Sequence, residues 1–165
     1  MPTITPFLWF DDQAEEAVQF YLGVFPNSRV HQVARYGETG PGPAGSVMTI
    51  HFELDGNDFV ALNGGPAHYG FDEAVSFVID CPTQGDVDRY WDALTEGGEE
   101  IACGWLRDRY GLCWQVVPTE LPAVLGDPDP VRAARAVQAM MTMKKLDIEA
   151  MKAAADGAVP DSLAR

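Results

Sequence analysis

The sequence predicts an α+β fold in which one strand–helix–strands unit occurs twice and a helical tail follows. Three observations carry this. Short apolar runs with strand-forming residues twice lead into a stretch whose apolar positions recur at helical spacing. A shift of about 70 residues lays Phe7 on Phe77, Ala17 on Val87, Tyr21 on Trp91 and Val24 on Leu94, which is an internal repeat of the same unit. After Asp127-Pro128-Asp129-Pro130 the strand pattern stops and only helical spacing remains.

The first unit opens with the apolar run Ile4–Phe10, read as a strand. Asp12 is placed to cap the helix that follows, with Glu15 answering from its first turn. Ala14, Ala17, Val18, Tyr21, Leu22 and Phe25 give that helix one apolar face, and Pro26-Asn27-Ser28 ends it. Arg29–Tyr36 reads as a strand, Gly37–Gly45 as a mobile Gly/Pro loop, and Ser46–Leu54 as an alternating strand. Asp55-Gly56-Asn57-Asp58 is a hairpin turn into Phe59–Asn63, closed by Gly64-Gly65-Pro66.

The second unit repeats the order. Ala74–Cys81 is a strand, and Thr83-Gln84-Gly85-Asp86 is a capping box. Val87, Tyr90, Trp91 and Leu94 form the helix stripe, which Gly97-Gly98 terminates. Glu99–Leu106 and Leu112–Val117 are strands about the turn Arg107–Gly111, so this unit reads one strand short of the first. In the tail, Val131–Thr142 is helical, and Asp147 caps a second short helix ending at Gly157. The expected organisation is a single domain over 1–126, with modules at about 1–66 and 74–120, followed by a tail over 127–165. Two such modules can pair their sheets into a curved, half-open barrel with a concave pocket.

Composition narrows the function classes. At 165 residues and 47% hydrophobic, the chain can bury a core. A net charge of −14 with 11 Lys and Arg spread along the chain argues against a nucleic-acid binder. Cys81, Cys103 and Cys113 are odd in number and lack a disulfide spacing. The N-terminus reaches acids too soon for a signal peptide, and no apolar run approaches the about 20 residues of a membrane span. A cytoplasmic location is expected.

Taken together, FLWFDDQAEEAVQFY, ALNGGP, SFVIDC, CGWLRDRYGLCWQVVP and MMTMKKLDIEAMKAA resemble the PhnB-like branch of the vicinal-oxygen-chelate superfamily (glyoxalase, bleomycin resistance, dihydroxybiphenyl dioxygenase). The resemblance runs from about Ile4 to Gly157. Proteins of this branch often carry the name 3-demethylubiquinone-9 3-methyltransferase. It implies paired βαβββ-type modules and a homodimer. The methyltransferase name finds no glycine-rich turn between a parallel strand and a helix: Gly97-Gly98 follows a helix, and Gly64-Gly65 follows a strand in what reads as an antiparallel setting.

In metal-using members of the superfamily, His, Gln or Glu side chains on the concave strands hold a divalent ion that polarises vicinal substrate oxygens. The resemblance places those positions at Thr5 or Pro6, Ala61 or Asn63, Ser76 and Gln115. Gln115 alone is of a ligand type, so no catalytic metal and no other cofactor is expected. His31, His51 and His68 share no metal-binding spacing; His31 reads as a surface or half-buried imidazole, and His68, beside ALNGGP, as the better pocket-rim candidate. Cys103 and Cys113 read as core filler, and Asp108 between Arg107 and Arg109 as a surface ion pair.

The expected function is small-molecule binding in an aromatic-lined concave pocket, with Asn63, Ser76, Trp105, Gln115 and His68 as ligand contacts. The alternatives are a metal-dependent lyase or dioxygenase of the same superfamily and the methyltransferase of the family name. A homodimer is expected through the sheet edges and the tail, whose Met140, Met141, Leu146, Ile148 and Met151 form an apolar load. Burying such surface yields about 25 cal/mol per Å².

Overall fold

A computed structural model describes residues 3–158. The chain separates into two compact units that part between Gly70 and Phe71.

The first unit runs β1 (Phe7–Phe10), α1 (Ala14–Val24), β2 (Arg29–Arg35), β3 (Val47–Leu54) and β4 (Asn57–Asn63), with strand order β1-β4-β3-β2. Parallel β1 and β4 sit beside antiparallel β4–β3 and β3–β2, so the sheet is mixed. This corrects the antiparallel setting read for Gly64-Gly65: the strand before them pairs in parallel with β1. Alternation sends Leu8, Phe10, Ile50, Phe52, Leu54, Phe59 and Ala61 to one buried face, where Ala17, Val18 and Tyr21 of α1 cover them. The opposite face is open and carries Phe7, Trp9, His51, Glu53 and Asp58. The β3–β4 hairpin turns on Asp55 (φ 46°) and Gly56 (φ 83°), both left-handed as a tight two-residue turn requires.

The second unit has the same plan: β5 (Ser76–Cys81), α2 (Gln84–Thr95), β6 (Glu99–Glu100), β7 (Trp105–Arg107) and β8 (Cys113–Pro118), ordered β5-β8-β7-β6. The repeat is thus complete in topology. The strand expected over Glu99–Leu106 is two strands, because Cys103 (φ 54°) and Gly104 (φ 85°) turn the chain between them. A Cβ at Gly104 would lie 2.8 Å from the Val116 carbonyl oxygen, so the turn needs glycine there. The Thr83 capping box forms as read: its hydroxyl accepts from Asp86 N at 3.1 Å and donates to Asp86 Oδ2 at 2.7 Å. Val87, Trp91 and Leu94 of α2 bury against Leu106, Trp114 and Val116.

A short helix that periodicity did not reveal, α3 (Leu121–Leu125), leads into α4 (Pro130–Met141) and α5 (Ile148–Ala155). The tail belongs to the second unit. Met143 and Lys144 carbonyls accept from Cys103 N (2.9 Å) and Gly104 N (2.8 Å). Gln84 clamps the segment before α5, its amide donating to the Leu146 carbonyl at 2.9 Å and its oxygen accepting from Ile148 N at 3.2 Å. Leu146, Ile148 and Met151 are buried there, so most of the tail's apolar load already covers its own unit. Val131, Val137 and Met141 remain exposed.

Candidate functional site

The first unit holds a cavity of about 480 Å³. It is walled by Asp11, Asp12 and Glu15 at the start of α1, by Tyr36, by Asn63 and by Gly64–Pro66. Its frame is hydrogen-bonded. Tyr36 donates its hydroxyl to the Asn63 carbonyl at 2.6 Å, and the Gly37–Gly45 loop folds back so that Gly45 N donates to the Tyr36 carbonyl at 2.8 Å. Trp9 lies directly on Gly64, where a Cβ would come within 2.2 Å of the indole, and its Nε1 donates to the Gly65 carbonyl at 3.0 Å. Glycine at 64 therefore sets the plane of the ring. Tyr69 meets Trp9 edge-on at 5.8 Å, and His68 meets Tyr69 edge-on at 5.2 Å. With Phe7 59% and Trp9 39% exposed, the open face ends in an aromatic platform.

Asn63 stands in the cavity wall with both amide atoms engaged. Its Oδ1 accepts from Ala14 N at 2.8 Å, and its Nδ2 donates to the Val47 carbonyl at 3.1 Å. It caps α1 from another strand. This corrects the capping box read from Asp12 and Glu15: the residue before the helix is Gln13, which makes no side-chain cap, so both acids face the cavity instead.

In the second unit the face of the sheet away from α2 carries Ser76, Trp105 and Gln115. Gln115 donates to Ser76 Oγ at 2.9 Å, and Trp105 is its register partner on β7. All three are partly exposed. The structure thus gathers Ser76, Trp105 and Gln115 in one unit, and Asn63 and His68 in the other.

The positions that the resemblance assigns to metal carry no residue set that fits an ion here. The Pro6 carbonyl accepts from Val60 N at 3.0 Å, Ala61 is fully buried, and Gln115 donates to Ser76. Such a set offers neither imidazole nor carboxylate to a Lewis-acid ion. A different group was not visible in spacing: His31, Glu53 and Asp58 bring ligand-type atoms within 4.8 Å of one another on the open face of the first unit. Pairing of β2 with β3 is the signal that finds it, since it sets His31 beside His51, ring centroids 5.1 Å apart.

Asp108 is not a surface ion pair. It is 3% exposed and accepts from Trp114 Nε1 at 2.9 Å, Tyr110 N at 2.9 Å and Leu112 N at 3.1 Å, while its neighbour Arg107 pairs with Glu73 and Glu99. Cys81 and Cys113 are buried, and desolvation raises both thiols, Cys81 to about 11. Neither is an activated nucleophile. Among the described residues, no helix is long and apolar enough to cross a membrane.

Among solved structures, a Bacillus cereus PhnB protein bearing the 3-demethylubiquinone-9 3-methyltransferase name is similar at 32% identity and TM-score 0.66, covering 71% of this chain and 99% of that one. A Pseudomonas aeruginosa protein is similar in fold at 20% identity and TM-score 0.60, covering 72% and 98%. So is the fosfomycin resistance protein FosX of Listeria monocytogenes, solved with Mn(II) and sulfate, at 15% identity and TM-score 0.50, covering 70% and 89%. No curated protein matches the chain. The model of the 3-demethylubiquinone-9 3-methyltransferase family matches residues 2–117, and the chain belongs to that family.

Proposed function

We propose that each unit offers a small organic molecule the open face of its own sheet, without the metal of metal-using relatives. The observation that carries this is the cavity of about 480 Å³ joined through Gly64-Gly65 to the exposed Trp9 platform, a volume within the usual range for small-molecule sites. Asp11, Asp12 and Glu15 at its wall favour a neutral or cationic ligand over an anion. Trp105 offers a second stacking surface, and Ser76 and Gln115 offer neutral hydrogen-bonding groups that keep spare donors and lone pairs beyond their mutual bond. His68 supplies an imidazole beside Tyr69, and Asn63 contributes wall rather than recognition. We read the working form as a homodimer, in which exposed Val131, Val137 and Met141 of α4 find cover.

The methyltransferase reading has less support. The links from β1 to α1 (Asp11-Asp12-Gln13) and from β5 to α2 (Pro82-Thr83) contain no glycine turn for a nucleoside. A thermal-shift screen of neutral and cationic metabolites, with S-adenosylmethionine included, tests the proposal. The expected result is stabilisation by at least one metabolite and none by S-adenosylmethionine. Stabilisation by S-adenosylmethionine alone would restore the methyltransferase reading.

A further inference from the structure

We propose that His31, Glu53 and Asp58, with His51 beside Asp58, form a site for a divalent transition-metal ion of the zinc class. It lies near the β3–β4 turn, on strands other than those the resemblance assigns to metal apart from β4, and does not rest on the organic-ligand reading above.

Topology builds the group. In the β2–β3 ladder Val30 pairs with Phe52 and Gln32 pairs with His51, so His31 is the extra residue of a β-bulge. Bulges re-aim a side chain, and this one sets His31 Nε2 3.3 Å from Glu53 Oε2 and 3.3 Å from Asp58 Oδ1. His51 Nε2 lies 3.5 Å from the same Asp58 oxygen. Three strands thus bring one imidazole and two carboxylates together, with the His51 imidazole against Asp58.

Charge supplies a second observation. Glu53 and Asp58 are direct cross-strand partners on one face, an arrangement that destabilises a sheet unless a cation sits between them. Arg29 reaches Glu53 Oε2 at 2.9 Å, but among the described residues no Lys or Arg is within ion-pair reach of Asp58, whose neighbours are the two imidazoles. A divalent ion of the zinc class uses both kinds of group, the imidazole lone pair and the carboxylate charge. The spacing agrees. Bonds of about 2.0–2.2 Å in a tetrahedron put ligand atoms about 3.3–3.6 Å apart, and a charge-assisted hydrogen bond would be shorter, at about 2.7–2.9 Å. Imidazole with carboxylate suits zinc, copper, nickel or cobalt and excludes a calcium-type oxygen cage.

The test is calorimetric titration of Zn(II) into the tag-free full chain, with Co(II) absorption as a second readout. One ion per chain is expected, with visible Co(II) bands of low-coordinate nitrogen and oxygen ligation and no thiolate charge-transfer band. His31→Ala and Asp58→Asn should each weaken binding at least tenfold. His68→Ala, which removes the remaining histidine, should leave it unchanged. His31 and Asp58 are exposed, so neither variant should melt below the parent without metal, and Zn(II) should raise the melting temperature of the parent more than that of either variant. Absence of saturable binding, binding unaffected by His31→Ala, or a thiolate band would each overturn the site. None of these outcomes bears on an organic ligand, which the screen above reads separately.

Discussion

Asn63 Oδ1 accepts the backbone N–H of Ala14 at 2.8 Å, so the first helix is capped by a residue 49 positions downstream in β4. The same side chain donates to the Val47 carbonyl, fixing helix, strand and cavity wall together. Asn63→Ala should cost about 1–3 kcal/mol, the sum of a lost cap and a lost part-buried hydrogen bond. Asn63→Asp keeps the acceptor and loses the donor, and should fall between. Urea unfolding should show the midpoint drop with an unchanged slope.

Asp108 binds the second unit's core through three accepted hydrogen bonds, one of them from Trp114. Asp108→Ala leaves those donors buried without it and should cost about 3 kcal/mol or more. Asp108→Asn presents an amide N–H to the Trp114 N–H and should destabilise as well. A melting temperature equal to the parent's for both variants would contradict this assignment.

Burial pushes the Cys81 thiol up from 9.0 to about 11, with Asp86 and Asp80 adding to the effect. Between those values the unfolded chain gives up a proton that the folded chain keeps, so stability is complete below about 9 and falls as pH rises. The loss attributable to this residue should be about 2–3 kcal/mol by pH 11. Chemical denaturation at pH 8 and pH 10.5 should show a smaller difference for Cys81→Ala than for the parent.

Leu146 is fully buried against Gly104, anchored by the Gln84 clamp. Leu146→Ala should destabilise by about 2–5 kcal/mol, and truncation after Gly126 should expose enough of the second unit to make it insoluble. A soluble truncated chain with an unchanged melting temperature would show that the tail does not close the unit.

Much of the fold was legible. Periodicity placed α1, α2 and most strands, and the repeat of Phe7, Ala17 and Tyr21 on Phe77, Val87 and Trp91 implied the shared topology now seen as β1-β4-β3-β2 and β5-β8-β7-β6. What escaped depended on tertiary partners. Gly104 stands alone among strand-forming residues and Cys103 beside it takes a left-handed φ that its type does not announce, so the β6–β7 break read as continuous strand. Asp108 sits between two arginines in sequence, and only folding brings Trp114 to it. The α1 cap comes from another strand, which a local capping-box reading cannot find. His31 and His51 have no motif spacing and meet through the β2–β3 ladder. Of the ligand contacts read from sequence, Ser76, Trp105 and Gln115 share one sheet face, His68 joins the Trp9–Tyr69 aromatic group, and Asn63 is engaged in the frame.

The four tryptophans provide the most direct test of small-molecule binding on the open faces. Trp91 and Trp114 are buried, with indole N–H groups bonded to Glu100 and Asp108 at 2.9 Å each, whereas Trp9 and Trp105 stand on the open faces. Indole N–H signals of the ¹⁵N-labelled protein should be followed as metabolites that stabilise it are titrated in. The account predicts saturable shifts at Trp9, Trp105 or both, with Trp91 and Trp114 nearly still. Binding that moves Trp91 or Trp114 and leaves Trp9 and Trp105 in place would contradict it.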